Sequence, residues 1–118
     1  MSIEKNLRKW FPGFIRKAFA SQGDTSEKGM AEIRIVCKLF NPTGAGTWYL
    51  YEKLDEFLYM AFVELGDPRF AEIGTVDIRE LAGFIGQFGL PIERDLHFET
   101  LHHTLLEVRN KVRCGESL

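Results

Sequence analysis

The densest group of reactive side chains in this sequence lies between positions 93 and 97, in Glu93-Arg94-Asp95-Leu96-His97. In an extended chain, alternate side chains share a face, so Glu93, Asp95 and His97 would point one way and Arg94 the other. Two carboxylates and an imidazole can bind a divalent metal or exchange protons. One interpretation of the segment is therefore a small metal-dependent hydrolase or nuclease that uses these three side chains.

The competing interpretation of this segment is structural. Alternate side chains on one strand lie ~7 Å apart, so three ligands from a single strand rarely meet at one ion. In this interpretation, Arg94 pairs with a carboxylate such as that of Glu72 or Glu93 and holds the segment against the sheet. We favour the structural role and predict no catalytic residue, no metal ligand and no cofactor. Glu93, Arg94, Asp95 and His97 are kept as candidate binding residues.

Four aromatic side chains form a second set of candidate binding residues, because a sheet with exposed rings can stack nucleic-acid bases. They are Trp48, Tyr49, Tyr51 and Tyr59. We expect Tyr49, Tyr51 and Tyr59 on one face of the sheet, which is either a binding surface or a face covered by the N-terminal helix. The covered face is our prediction, since so large an apolar surface is rarely left exposed.

The elements that would position these groups begin with a helical N-terminal segment over residues 1–20, where apolar residues recur at helical spacing. Pro12-Gly13 interrupts the pattern, so we predict one helix ending near Trp10 and a second over Phe14–Phe19. The polar faces of this segment carry five cations, Lys5, Arg8, Lys9, Arg16 and Lys17.

Residues 32–76 alternate between apolar and polar positions, with turn residues between the runs, as is typical of an antiparallel sheet. Four strands are predicted, over Glu32–Phe40, Thr47–Lys53, Phe57–Leu65 and Phe70–Val76. The Pro- and Gly-rich stretch between the first two predicts a hairpin. Consecutive strands joined by tight turns form a meander.

Residues 77–112 are predicted to form two helices separated by an extended segment near 90–95. The first helix is expected over Ile78–Ile85 and the last from about Thr100 to Val112. The chain is therefore predicted to be one α+β domain over residues 1–118. Its four-stranded antiparallel meander would be covered by an N-terminal helix and two C-terminal helices.

Length, charge and cysteine content are those of an ordinary soluble domain. The 118 residues can bury a core without disulfides. A formal net charge of −2 argues against a nucleic-acid binder driven by bulk positive charge and against a DNA mimic. Cys37 and Cys114 lack metal-ligand spacing, so we predict two reduced thiols. The sequence has no pattern of a signal peptide or membrane span, so we expect a cytoplasmic location.

Three stretches of sequence, taken together, resemble a known family. They are the Asn-Pro-x-Gly-x-x-Thr-Trp-Tyr pattern at Asn41–Tyr49, the Gly-Asp-Pro turn at Gly66–Pro68 with the strand and helix after it, and Glu93–Phe98. Their order and spacing over Glu32–Phe98 resemble the uncharacterised bacterial family numbered 2958 among the domains of unknown function. Here the N-terminal helical segment is longer and more aromatic than this resemblance leads us to expect, and the last helix is extended.

The resemblance implies a small cytoplasmic protein of the kind frequent on plasmids and integrated conjugative elements, with no established catalytic residue to carry over. We therefore predict a non-enzymatic accessory or protein-interaction protein of a bacterial mobile element, with a protein partner such as a host defence component. The alternatives are the hydrolase or nuclease using Glu93, Asp95 and His97, and a weak nucleic-acid binder using the basic N-terminal helix. Specific nucleic-acid binding is not expected, and a homo-oligomer is an open alternative.

Overall fold

The computed structural model of this protein describes residues 2–116 and 118. Met1 and Ser117, which the predicted domain includes, lie outside the described residues. The helices are α1 (Ile3–Trp10), α2 (Gly13–Gln22), α3 (Ile78–Gly83) and α4 (Leu105–Arg113). The strands are β1 (Cys37–Phe40), β2 (Thr47–Lys53), β3 (Leu58–Glu64), β4 (Glu72–Asp77) and β5 (Glu93–Arg94).

The strands form one antiparallel sheet in the order β4-β3-β2-β1-β5. Strands β1 to β4 are neighbours in chain order, which confirms the predicted meander and the α+β class. The structure adds a fifth strand, taken from the segment predicted to be extended. In this strand Arg94 lies opposite Leu39 of β1 and Glu93 lies opposite Phe40. The pairing joins segments far apart in the chain, so local sequence patterns do not specify it.

Helices α1 and α2 cover one face of the sheet and bury their apolar sides in what we call the N-terminal core. The aromatic members of this core are Trp10, Phe11, Phe19, Trp48 and Tyr59. The predicted break between the two helices is confirmed, because α1 ends at Trp10 and Pro12 is the N-cap residue of α2. Phe11, in the turn between them, stacks on Tyr59 with ring centroids 5.3 Å apart.

The opposite face of the sheet packs against α4 and the chain that leads into it, in what we call the C-terminal core. Tyr49, Phe62, Phe98 and Leu105 belong to this core. The last helix begins at Leu105, five positions later than the predicted start near Thr100, because the hydroxyl of Thr104 caps it. Helices therefore cover both faces of the sheet.

The first strand is shorter than the predicted Glu32–Phe40. The ladder starts at Cys37, and the chain before it hydrogen-bonds to the segment leading into α4: the Leu105 N–H donates to the Ile33 carbonyl at 2.8 Å. Ile33 and Ile35 consequently belong to the C-terminal core, whereas Cys37 belongs to the N-terminal core. The prediction that alternate residues of this run share one face is wrong, because the neighbouring residues Val36 and Cys37 both enter the N-terminal core and break the alternation.

Two other predicted boundaries are also wrong. The fourth strand begins at Glu72 instead of Phe70, because Pro68–Phe70 forms a turn of 3-10 helix. Helix α3 ends at Gly83, and Ile85, the predicted last residue, lies in an isolated backbone bridge to the next extended segment. The helix is thus two residues shorter than predicted, and residues 84 and 85 belong to the loop that follows it.

Candidate functional site

The four aromatic candidates lie in the cores, and all are buried. Trp48 and Tyr59 face the N-terminal core, whereas Tyr49 and Tyr51 face the C-terminal core. The prediction that the three tyrosines share one face is wrong. Phe62 is the β3 residue opposite Tyr49, so Tyr59, three positions earlier on β3, points to the other face. The tyrosines are covered, but only Tyr59 is covered by the N-terminal helices.

The charged segment is divided between a short strand and a turn. Glu93 and Arg94 form β5, whereas His97 is exposed in the turn that follows, where its backbone N–H donates to Oδ1 of Asp95 at 2.9 Å. The premise that Glu93, Asp95 and His97 share one face of a strand is therefore wrong. Within residues 2–116 and 118, no three His, Cys, Asp or Glu side chains are grouped to hold a metal ion. The metal-dependent alternative stays a prediction.

Asp95 anchors this segment to the sheet. Its Oδ2 lies 3.5 Å from Nζ of Lys38, and its backbone N–H donates to the Lys38 carbonyl at 2.9 Å. The Lys38 side chain is only 12% exposed, and its Nζ lies 5.8 Å from the centroid of the Tyr49 ring. Burial, together with the carboxylates of Glu64 and Asp95, raises the pKa of Tyr49 to about 12. The cation that holds this segment is therefore a lysine of β1.

A cleft of about 400 Å³ opens beside this ion pair, lined by the β1–β2 turn, Glu64 and Asp95. The amine of Lys38 is already engaged, because it also donates to the carbonyl of Leu118. These contacts engage both charges of the Lys38–Asp95 pair within the fold, and the structural role of the segment stays a prediction.

Arg94 points to the other face, toward the N-terminal helices. Its guanidinium carbon lies 5.4 Å from the centroid of the Phe14 ring. None of the ion pairs in the described part of the chain includes Arg94, and its Nε is buried without an acceptor. The predicted pair with Glu72 or Glu93 is wrong, because Glu93 projects from the opposite face of β5 and Glu72 lies on β4, at the far edge of the sheet.

Arg94 lines a groove of about 370 Å³ between α1 and β5, which we call the α1–β5 groove. Hydrogen bonds fix α1 to the chain on the other side of it. Nδ2 of the buried Asn6 donates to the carbonyl of Ala82 at 2.8 Å, and Nε1 of Trp10 donates to the carbonyl of Ile92 at 3.2 Å. Two side chains of α1 therefore fix this helix to the rest of the fold and hold the groove in shape.

A second exposed feature follows α3. Residues 84–90, which we call the apolar loop, expose four large apolar side chains, those of Phe84, Ile85, Phe88 and Leu90. Phe88 is 91% exposed and has a φ of 60°, in the left-handed region. A bulky residue in this backbone conformation costs about 1–3 kcal/mol of conformational free energy. That the chain adopts it at an exposed phenylalanine is therefore informative.

The apolar loop is closed by its own backbone. The Gly86 N–H donates to the Leu90 carbonyl at 2.7 Å, and the Leu90 N–H donates to the Gln87 carbonyl at 3.2 Å. A Cβ at Gly86 would lie 2.5 Å from Oγ1 of Thr43, so the loop backbone packs directly on the β1–β2 turn. These contacts hold the loop in one shape while its apolar side chains point outward.

Sequence reasoning identified neither the apolar loop nor the α1–β5 groove. The sequence does contain a signal for the loop. Glycines that interrupt a helix lie among the apolar residues Phe84, Ile85, Phe88 and Leu90, so packing of one helix face on the core does not explain all four. The groove carries no comparable signal, since its sides come from opposite ends of the chain.

Comparison with known proteins places these features in a family. Among the described residues, none of the helices combines the length and apolar character required to cross a bilayer. No curated protein and no solved structure matches the chain. The family model described as "Protein of unknown function (DUF2958)" matches residues 13–111, which include the whole sheet, α2, α3, the apolar loop and all but the last two residues of α4, while α1 precedes the match. The match spans most of the 118 residues and agrees with the sequence resemblance, so the chain belongs to this family.

Proposed function

We propose that this protein is a non-enzymatic protein-binding module and that the apolar loop is its contact surface. The observation that carries the proposal is Phe88, a phenyl ring that is 91% exposed on a left-handed backbone. Together with Phe84, Ile85 and Leu90 it forms a contiguous stretch of exposed apolar chain. Apolar patches of this kind on small soluble domains mark interaction sites.

The energetics of the loop support this proposal. Burying a phenylalanine or isoleucine side chain contributes about 1.5–3 kcal/mol, which the isolated molecule does not obtain for Phe88 or Ile85. The backbone at Phe88 adds a conformational cost. The exposure of these apolar side chains and the backbone conformation of Phe88 are both unfavourable in the free protein. A partner that covers the loop removes the first of these two costs. Aromatic residues, phenylalanine among them, are also enriched at the cores of protein interfaces.

The test is selection of peptide ligands from a displayed library, followed by affinity measurement on the isolated peptides. Phe88→Asn removes the ring and is compatible with the left-handed backbone, because asparagine tolerates that conformation. We expect this variant to be at least as stable as the wild type and to bind the selected peptides about 10-fold or more weakly, as for removal of an interface hot spot. The matched control is Phe70→Asn, since Phe70 is 73% exposed at a different place on the surface.

Peptides that bind the wild type and both variants equally would show that the loop is not the contact surface. Failure to select any peptide above background would count against the binding function itself. A catalytic function is not needed to explain the loop, but the hydrolase and nucleic-acid alternatives stay predictions with their own assays.

The setting of this function is also part of the proposal. We infer from the family resemblance that the protein acts in the cytoplasm of a bacterium, as an accessory protein of a mobile element, and that its partner is a host protein such as a defence component. Cell fractionation tests the cytoplasmic location. A survey of the genes that flank members of the family tests the association with plasmids and integrated elements, and scattered chromosomal locations would contradict it.

A further inference from the structure

We propose that the α1–β5 groove receives an acidic segment of the protein partner, with an apolar side chain in the groove and a carboxylate on Arg94. This inference rests on the proposed function, because it names the chemistry of the partner that covers the neighbouring apolar loop. Four observations carry it: the lining of the groove, the state of Arg94, the charge around it, and its continuity with the loop.

The lining of the groove fits an apolar side chain. Pro91 and Leu96, which is 74% exposed, offer apolar contact, and the nearly buried Trp10 and Ile92, each 2% exposed, lie behind them. The indole of Trp10 is held by its hydrogen bond to the Ile92 carbonyl, so the groove exists before any ligand arrives. A preformed groove binds with a smaller loss of conformational entropy.

Arg94 brings an uncompensated charge to this groove. Its guanidinium rests on the ring of Phe14, no carboxylate of the described chain forms an ion pair with it, and its Nε is buried without an acceptor. Buried donors are nearly always paired in folded proteins, and among the described residues the Nε of Arg94 shares this exception with the Nε of Arg109. The planar guanidinium is the group best shaped to donate two hydrogen bonds to a carboxylate.

The charge around Arg94 selects an acidic ligand. Lys9 lines the groove, and Lys5 lies one helical turn before it on the same side of α1. Helices α1 and α2 together hold five cations and a single acidic residue, Glu4, in a chain whose formal net charge is −2. The groove itself is lined by the cations Lys9 and Arg94 and by one acidic residue, Glu93, so its lining is net positive and would attract an acidic partner.

The groove is continuous with the apolar loop. Pro91 lines the groove and forms a backbone bridge with Ile85 of the loop. At the other end of the loop, a Cβ on Gly83 would lie 3.6 Å from Cδ1 of Ile3, the first residue of α1. One partner can therefore cover the apolar loop and extend its chain along α1 into the groove.

A peptide fits this surface better than a nucleic acid does. Trp10 is nearly fully buried, and the exposed Phe14 is not among the residues that line the groove, so a base finds no aromatic platform within it. Glu93 also lines the groove, and any repulsion by its carboxylate acts on a nucleic acid and on an acidic peptide alike. A carboxylate beside an apolar residue meets the cation and the apolar lining at once.

The experiment measures fluorescence anisotropy of labelled peptides with the full chain. The probe is a short peptide in which acidic residues flank a pair of leucines, and its matched control has the corresponding amides in place of the acids. We expect the acidic peptide to bind about 10-fold or more tightly than the amide peptide, with a difference that shrinks as salt is added. Arg94→Gln should abolish the difference, Arg94→Lys should restore part of it, and Lys53→Gln, at an exposed lysine outside the groove, should leave it intact.

The other possible outcomes distinguish a failure of this inference from a failure of the proposed function. Equal binding of the two peptides, weakened by Phe88→Asn but not by Arg94→Gln, would overturn the inference and leave the loop as the binding surface. Loss of binding in Arg94→Gln but not in Phe88→Asn would uphold the acidic groove and remove the loop from the function. Tighter binding of single-stranded DNA of equal charge would overturn the inference in favour of a nucleic-acid ligand. Should Arg94→Gln fail to fold, Arg94→Lys and the amide peptide still decide the question.

Discussion

Replacing Phe11 with alanine should remove one of the aromatic contacts between the N-terminal helical segment and the sheet. Phe11 is 9% exposed and lies in the turn between α1 and α2, where its φ of −121° is not helical. Alanine therefore changes the packing there without altering a helix. The ring stacks on Tyr59 at 5.3 Å with planes 1° apart, and it meets Phe19 edge to face at 6.0 Å.

The expected magnitude follows from these contacts. Truncation of a buried phenylalanine to alanine costs about 3–5 kcal/mol, the sum of lost burial and the cavity left behind. Since Phe11 contributes to an aromatic cluster, we expect about 4 kcal/mol and a fall in Tm of about 15 °C for a domain of this size. Phe11→Leu keeps most of the volume and loses mainly the stacking, so it should cost about 1–1.5 kcal/mol. Both variants should stay folded at room temperature, because small domains have about 5–15 kcal/mol of stability.

The assay is urea unfolding followed by circular dichroism, with thermal unfolding as a second measurement. Phe70→Ala is the control, since its ring is 73% exposed and should contribute less than about 0.5 kcal/mol. A Tyr59→Ala background adds a double-mutant cycle, in which the Phe11 substitution should cost about 1 kcal/mol less than in the wild type. Equal costs for Phe11→Ala and Phe70→Ala would refute the docking of the N-terminal helices on the sheet. Equal costs of the Phe11 substitution in both backgrounds would refute the Phe11–Tyr59 stack.

Three further predictions follow from buried and capping groups. A thiol reagent should label Cys114 rapidly and Cys37 only after unfolding, because Cys37 is buried and its burial raises the pKa of the thiol to about 12; two fast thiols would contradict this. Burial raises the pKa of both Tyr49 and Tyr59 to about 12, so the stability they contribute below the ordinary tyrosine pKa of about 10 should be lost as the pH rises from about 10 toward 12. Ultraviolet absorbance of tyrosinate measures this, and titration near pH 10 without unfolding would refute it. Hydrogen bonds from the side chain and backbone N–H of Arg79 lower the pKa of Asp77, so stability should be lost as the pH falls below the ordinary aspartate pKa. Asp77→Asn should flatten that part of the stability–pH curve, and an unchanged slope would refute the cap.

Particular residues show how far the sequence determines the fold. The turn around Pro42 and Gly44 and the alternation on either side of it specify the β1–β2 hairpin, and β2 has the predicted bounds Thr47–Lys53. Pro12 separates α1 from α2 as predicted, because proline cannot continue the first helix. These features depend on neighbouring residues, whose conformations restrict one another whatever the rest of the chain does. The family resemblance likewise rests on local strings, and the family match confirms it.

The contacts around the candidate site could not be predicted from the sequence because they join distant segments of the chain. The pairing of β5 with β1 sends Arg94 toward Phe14 and leaves Asp95 for Lys38, so the ion pair that holds the segment is not the predicted one. A strand shows which side chains share a face, but only its neighbours in the sheet decide which face is which. The same limit led to the wrong placement of Tyr59.

What the sequence by itself determined is therefore the inventory of elements: paired N-terminal helices, an antiparallel meander, two later helices and the α+β class that follows from them. Only the tertiary structure decided that the aromatic candidates are core residues, that Phe88 is outside, and that α1 and β5 enclose a groove beside an unpaired Arg94. The physical reason is that helices and turns arise from interactions between near neighbours in the chain. Burial and charge pairing depend on which surfaces meet, and that is settled by the packing of the whole chain.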